Sequence, residues 1–281
     1  MIDSDKFGSH EYAYVFVVFF DERVGVRKRL DFYRSCFFWQ SGELKRKCIL
    51  AKWDIICRPN DQGGLGIENL EVKNRCLLSE WLYKLSVETD ATWAQILRAK
   101  YLQSKTLSRV MVRPTDSPFW KGLMWVKSTF FHRKKFVVWN GTSTRFWEDT
   151  WLGEAPLAIQ YPSLYNIVQR RDAYVATVLQ SNPLNIQFRR TLVGNCWEAW
   201  LHLVRWLMDV QLSQQPDQLR WKLTKNGEFS VKSMYLDIIN ASAIPSSKHV
   251  WKVKVPLKIK VFMWFVHKQV ILTKDNLAKH N

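Results

Sequence analysis

The sequence predicts a mainly α-helical fold with short antiparallel β-hairpins, an α+β class. Two patterns carry that expectation. Several segments repeat apolar residues at i, i+3 and i+4, and two Asn-Gly pairs sit between short β-prone runs. The chain has 281 residues, 47% of them hydrophobic and 24% charged. That composition suits a globular protein with a real core and excludes the disordered and collagenous classes.

Residues 1–11 carry no pattern and read as a disordered tail. Tyr12–Phe20 (YAYVFVVFF) is β-branched and aromatic enough for a buried strand, and short enough for a buried helix. Residues 24–39 fit a basic amphipathic helix around Val26, Leu30, Tyr33 and Phe37. From Asn74, the positions Leu77, Leu78, Trp81, Leu82 and Leu85 form a helical stripe. Trp93, Ile96, Leu97 and Tyr101 form another, with Asp90 as candidate N-cap. Ser117-Pro118 supplies an N-cap and a first-turn proline for a helix through Phe119, Trp120, Leu123 and Met124. Phe136–Trp139, Asn140-Gly141 and Thr142–Trp147 read as strand, turn and strand. Residues 153–195 hold Pro156, Pro162 and Pro183 with little periodicity and read as a loose connection. A further helix contains Trp197, Trp200, Leu201, Val204 and Met208. Leu219, Trp221 and Leu223 then alternate before Asn226-Gly227, with Phe229 and Val231 beyond it.

Charge gives the first indication of a partner. Forty-two Lys and Arg against 25 Asp and Glu leave a formal net charge of +17, which attracts polyanions. The cations cluster. Residues 23–58 hold ten against three acidic side chains, including Arg27, Lys28, Arg29, Arg34, Lys45, Arg46, Lys47 and Lys52. Residues 248–279 hold eight lysines, among them Lys252, Lys254, Lys258 and Lys260, against Asp275 alone. Lys127 with Arg133, Lys134 and Lys135 forms a third cluster. Aromatic residues lie among all three, including Phe37-Phe38-Trp39, Phe130-Phe131 and Phe262-Met263-Trp264-Phe265. Cations for phosphates and flat rings for bases suit single-stranded nucleic acid; the same rings also suit an ordinary core. RNA or DNA, bound nonspecifically, is the expected partner. A membrane-spanning helix is not expected, because the longest apolar run is nine residues, and an acidic membrane surface ranks second to nucleic acid as a partner. Five scattered cysteines fit a reducing intracellular compartment, nucleus or cytoplasm, better than a disulfide framework.

Catalytic and metal-binding patterns are sparse. Successive cysteines lie 12, 9, 19 and 120 residues apart, with no C-x-x-C, and His249, His267 and His280 are widely spaced. No Asp-Asp pair occurs. Glu148-Asp149 are adjacent and, if extended, point to opposite faces, a poor arrangement for one two-metal site. Gln62-Gly63-Gly64-Leu65-Gly66-Ile67 lacks the Lys-Ser/Thr of a P-loop and reads as turn glycines. No catalytic residue and no metal ligand is expected.

Several phrases are less generic. Phe37-Phe38-Trp39-Gln40, Lys52-Trp53-Asp54 and Gln62–Ile67 are followed by Lys100-Tyr101, Phe119-Trp120 and Phe146-Trp147-Glu148-Asp149-Thr150-Trp151-Leu152-Gly153. Gly227–Tyr235, Trp251–Trp264 and Thr273–Leu277 come last. In this order they resemble the C-terminal part of plant-type non-LTR (LINE) retrotransposon reverse transcriptases, over about residues 13–281. Asp21-Glu22-Arg23 departs from the family by lacking a proline.

The resemblance implies a post-palm, thumb- or connection-like segment over 12–67. A helical middle region would span 68–215, with a hairpin near 136–147, and a reverse-transcriptase zinc-binding domain would start within 216–281. The family's palm aspartates and zinc ligands have no matching positions here. The implied protein is therefore a catalytically incomplete fragment, not an enzyme, without cofactor, whose partners are nucleic acid and the remainder of a retroelement polyprotein. A host-recruited nucleic-acid-binding module and a structural or protein-interaction remnant are the alternatives.

Overall fold

A computed structural model describes residues 24–39, 51–88, 90–103, 105–181, 183–241 and 249–268. The expected strand at Tyr12–Phe20 lies outside them. The described residues are mainly helical, with one two-stranded antiparallel sheet, as the sequence predicts. The chain divides into two compact units, each assembled from separated stretches. Unit 1 takes residues 1–78, 116–122 and 231–281; unit 2 takes 79–115 and 123–230.

Unit 1 contains α1 (Val24–Phe38), α2 (Trp53–Ile56), a 3-10 turn at Asn60–Gln62 and the first part of α3 (Leu70–Val87). It also holds the opening of α5 (Pro118–Phe131), then α10 (Val231–Ala241), α11 (His249–Lys252) and α12 (Leu257–His267). Its apolar centre is Ala51, Ile56, Val250 and Trp264, against which Phe38, Trp39, Trp53 and Phe265 pack. The glycines of 62–66 are structural. Gly63 ends the 3-10 turn with φ 77°, and its carbonyl accepts the Trp264 indole N–H at 2.8 Å. At Gly64 a Cβ would lie 2.0 Å from the Arg58 carbonyl oxygen. Two further ties span the unit: Gln62 Nε2 donates to Asn240 Oδ1 (2.7 Å), and Asn69 N donates to Tyr235 OH (2.9 Å). Asn69 Oδ1 also accepts the backbone N–H groups of Glu71 and Val72, capping α3.

Helix α1 forms where expected, but its buried side is not the expected one. Val26, Leu30, Tyr33 and Phe37 are exposed. Polar Asp31 and Arg34 face inward instead, because the Asp31 carboxylate accepts both Arg34 Nη1 (2.8 Å) and Trp53 Nε1 (3.1 Å).

On α3, Leu78 at the end of its unit 1 part and Leu82 and Leu85 in unit 2 are buried as the stripe predicts. The next helix, α4 (Thr92–Leu97), begins after Ala91 rather than Asp90 and runs into a π-turn at Arg98–Leu102. The Ser117 hydroxyl caps α5 through Trp120 N (3.3 Å). Residues 153–195 form no loose connection. They contain α6 (Leu157–Gln160), α7 (Pro162–Ile167) and α8 (Val175–Leu179). Leu157, Tyr161, Leu164, Val168, Val175 and Val178 from this stretch fill the core around Phe146, Trp147 and Trp151. These helices are four to six residues long, too short to show a period in sequence.

Both Asn-Gly turns are real: Gly141 and Gly227 have φ of 71° and 79°, a region that favours glycine. The strands nevertheless pair with each other rather than across their own turns. Strand β1 (Lys134–Val137) lies antiparallel to β2 (Gln218–Trp221), with Lys134 opposite Trp221 and Phe136 opposite Leu219. Asp217 explains the long-range choice. Its carboxylate accepts N–H groups from Trp139 (2.8 Å), Gly141 (2.9 Å), Ser143 (3.2 Å) and Thr144 (3.1 Å), and both hydroxyls of Ser143 and Thr144. The first turn thus wraps around the residue that opens β2.

Candidate nucleic-acid interface

Two of the three basic clusters reach one compact unit. Helix α1 carries Arg27, Lys28 and Arg29, and the stretch 249–268 carries five lysines and no carboxylate. Both belong to unit 1, where the C-terminal end of α1 meets α12: the rings of Trp39 and Phe265 lie 5.8 Å apart. Lys28 and Phe32 share one row along α1 at i, i+4; Arg29, Tyr33 and Phe37 share the next. Lys28, Arg29, Phe32, Tyr33 and Phe37 are all exposed, Phe37 by 88%. Phe32 and Tyr33 make an edge contact, with centroids 5.7 Å apart. Cations alternating with accessible rings can hold phosphates while bases stack, without reading sequence.

The expected binding residues fall into distinct groups. Lys28, Arg29, Lys52, Lys252, Lys254 and Lys258 are exposed in unit 1, and Arg27 is half-buried there. Arg34 is turned inward, donating to Asp31 and to the Glu68 carbonyl (2.7 Å) with its guanidinium over the Trp53 ring. Lys260 donates to the Trp251 carbonyl (3.2 Å). Lys45, Arg46 and Lys47 lie outside the described residues. Arg133, Lys134 and Lys135 belong to unit 2. Arg133 donates to the Thr129 carbonyl (2.8 Å), and Lys135 is half-buried opposite Arg220 on the sheet. Lys134 must be withdrawn from a phosphate-facing set. It is buried, 3.3 Å from Asp149 Oδ1, with its ammonium 3.9 Å from the Phe131 ring centre.

The sequence expectation places Tyr33 on the core side of α1 and leaves Phe32 off that side, so neither ring is among the expected binding residues. Placing Lys28, Arg29, Phe32 and Tyr33 together on a helical wheel is the signal that finds them. Of the triplet Phe37-Phe38-Trp39, the first is exposed, while the other two pack in the core of unit 1.

Other chemistry-bearing groups are committed to structure. Glu148 is buried: Thr106 Oγ1 (2.8 Å) and Ser108 Oγ (2.7 Å) donate to one oxygen, Arg109 Nε and Tyr165 OH (3.2 Å) to the other. Its neighbour Asp149 accepts Lys134 and the Arg145 N–H instead, so the two carboxylates serve different partners. Burial pushes the Cys57 thiol up to about 11, with Arg34 opposing, which keeps it protonated and unreactive at neutral pH. Glu148 borders a largely apolar cavity of about 390 Å³ in unit 2, also lined by Lys127, Phe131, Ile159 and Tyr165. Lys127 points to the carbonyls of Ser108 (3.1 Å) and Val110 (2.9 Å), and burial lowers its pKa.

Comparison with known proteins finds similar sequences. Residues 229–281 match the family described as zinc-binding in reverse transcriptase. The resemblance to the C-terminal region of plant LINE-type reverse transcriptases holds. A putative ribonuclease H protein of Arabidopsis thaliana is 26% identical over 267 residues, covering 89% of this chain and 41% of the relative. The chain thus spans about two fifths of that relative's length. An uncharacterized mitochondrial protein of the same plant is 26% identical over 132 residues, covering 46% of this chain and 86% of its own. No solved structure matches.

The family name raises the question of zinc. Residues 229–281 contain no cysteine; their His and Asp residues are His249, His267, His280, Asp237 and Asp275. Among the described residues no three His, Cys, Asp or Glu side chains converge on a point that could hold a metal. This donor set does not fit the Cys-rich tetrahedral site that structural zinc prefers.

Proposed function

We propose that this retroelement-related chain binds RNA or DNA nonspecifically through unit 1 and carries out no polymerase chemistry itself. The supporting observation is the solvent side of α1, where Lys28 and Arg29 alternate with exposed Phe32, Tyr33 and Phe37. Lys52, Lys252, Lys254 and Lys258 add exposed positive charge within the same unit. The no-catalysis half of the reading rests on two points. The sequence has no Asp-Asp pair, and Glu148 and Asp149 are spent on neighbouring side chains and backbone. Template-directed nucleotide incorporation by the purified chain would refute it. The expected setting is intracellular, nucleus or cytoplasm, with the remainder of a retroelement polyprotein as a further partner. Among the described residues no helix is long and apolar enough to cross a membrane.

The rings make the binding testable. Single-stranded RNA offers faces for stacking, whereas a duplex hides them. The triple substitution F32A/Y33A/F37A is expected to weaken single-strand binding by at least about 10-fold, since each stacked base is worth roughly 1–3 kcal/mol. Duplex binding should change much less. Equal losses on both substrates would remove stacking from the account.

A further inference from the structure

Helix α9 (Asn195–Met208) has two apolar faces, and only one is covered. Leu203 and Leu207 are buried, with Cys196, Ala199 and Trp200 packed beside them in the core of unit 2. On the adjoining flank, Trp197, Leu201 and Met208 are exposed, Met208 by 78%, and Val204 is half-buried between them. Their steps of four, three and four residues are the spacing of a coiled-coil seam. Val193, just before the helix, is also exposed.

The flank of the stripe indicates what covers it. Glu198 and Arg205 are both exposed and lie on the same edge of the seam, seven residues apart, too far to pair within one helix. A second α9 laid antiparallel about a two-fold axis sets Trp197 against Met208 and Leu201 against Val204. The same operation brings Glu198 beside the partner's Arg205 and Arg205 beside the partner's Glu198. A self-complementary patch of this kind is what a two-fold interface requires. We propose that α9 pairs two copies of this chain in an antiparallel helix contact centred on Leu201 and Val204. One helix of about 21 Å buries less than the standard interface, so the dimer belongs to the weak, transient class.

Sedimentation velocity on the full chain, freed of nucleic acid, tests this between about 1 and 200 μM. The wild type should shift from monomer to dimer across that range, while L201E stays monomeric. The single reversals E198R and R205E should each weaken association by about 10-fold, and E198R/R205E together should restore it to within a few-fold. The restoring pair keeps the test valid should L201E fail to fold. A wild type that stays monomeric throughout, as when a further segment of a longer chain covers the stripe, overturns the proposal. So does a dimer indifferent to L201E, or a double reversal no tighter than its singles.

Discussion

Asp217 is the residue on which the sheet of unit 2 depends. Burial works against its ionisation, but N–H groups of Trp139, Gly141 and Ser143 and the Thr144 hydroxyl outweigh it and hold the carboxyl below its ordinary range. A folded pKa below the unfolded value near about 3.9 means that the contribution is complete at neutral pH. It is lost as pH falls through the folded value. The gap in denaturant midpoint between wild type and D217N should therefore be widest at neutral pH and shrink steadily as pH falls below about 3.9. The expected deficit at pH 7 is about 1–2 kcal/mol, the scale of hydrogen bonds to a charged acceptor. A D217N deficit that persists unchanged in acid would contradict the clasp. The sequence showed the Asn-Gly turn but not its carboxylate partner, because 76 residues separate Gly141 from Asp217. Glu148-Asp149 was more transparent. Adjacent side chains that diverge cannot share one metal pair, and in the structure each has its own partners.

At the scale of elements, helices were visible and their orientation was not. Leu78, Leu82 and Leu85 work because α3 has one apolar stripe and few alternatives. Helix α1 misleads because aromatic and aliphatic residues surround most of it, so burial is decided by the Asp31–Arg34–Trp53 hydrogen bonds rather than by hydrophobicity. Helix α9 misleads in part: of the residues read from its sequence, Trp197, Leu201 and Met208 face solvent, whereas Trp200 packs with Leu203 and Leu207 in the core. The loop at 62–66 gives an element-scale prediction. A methyl group at position 64 would overlap the Arg58 carbonyl, and that backbone cannot yield cheaply. G64A should cost about 2–4 kcal/mol in unfolding free energy. W264F should cost less, about 1–2 kcal/mol, by leaving the Gly63 carbonyl without its indole donor. Equilibrium urea unfolding checks both, and a G64A chain as stable as wild type would contradict the packing of this turn.

The whole molecule is organised in a way that chain order conceals. Unit 1 is assembled from stretches far apart in sequence, so charge clusters that look equivalent along the chain fall into different units. Arg27, Lys28 and Arg29 join Lys252, Lys254 and Lys258 in unit 1, while Lys134 in unit 2 is consumed by Asp149 and two phenyl rings. Net charge foretells affinity for polyanions but not which cations remain available, because burial and ion pairing are tertiary properties. The most direct test is the salt dependence of binding to a fluorescent single-stranded RNA, wild type against K28A/R29A/K254A/K258A. With four phosphate contacts removed, the slope of log K against log salt should become shallower by about 2–3, given roughly 0.7 per contact on a single strand. An unchanged slope, or no binding by the wild type at about 50 mM salt, would contradict the assignment of unit 1 as a nucleic-acid-binding surface.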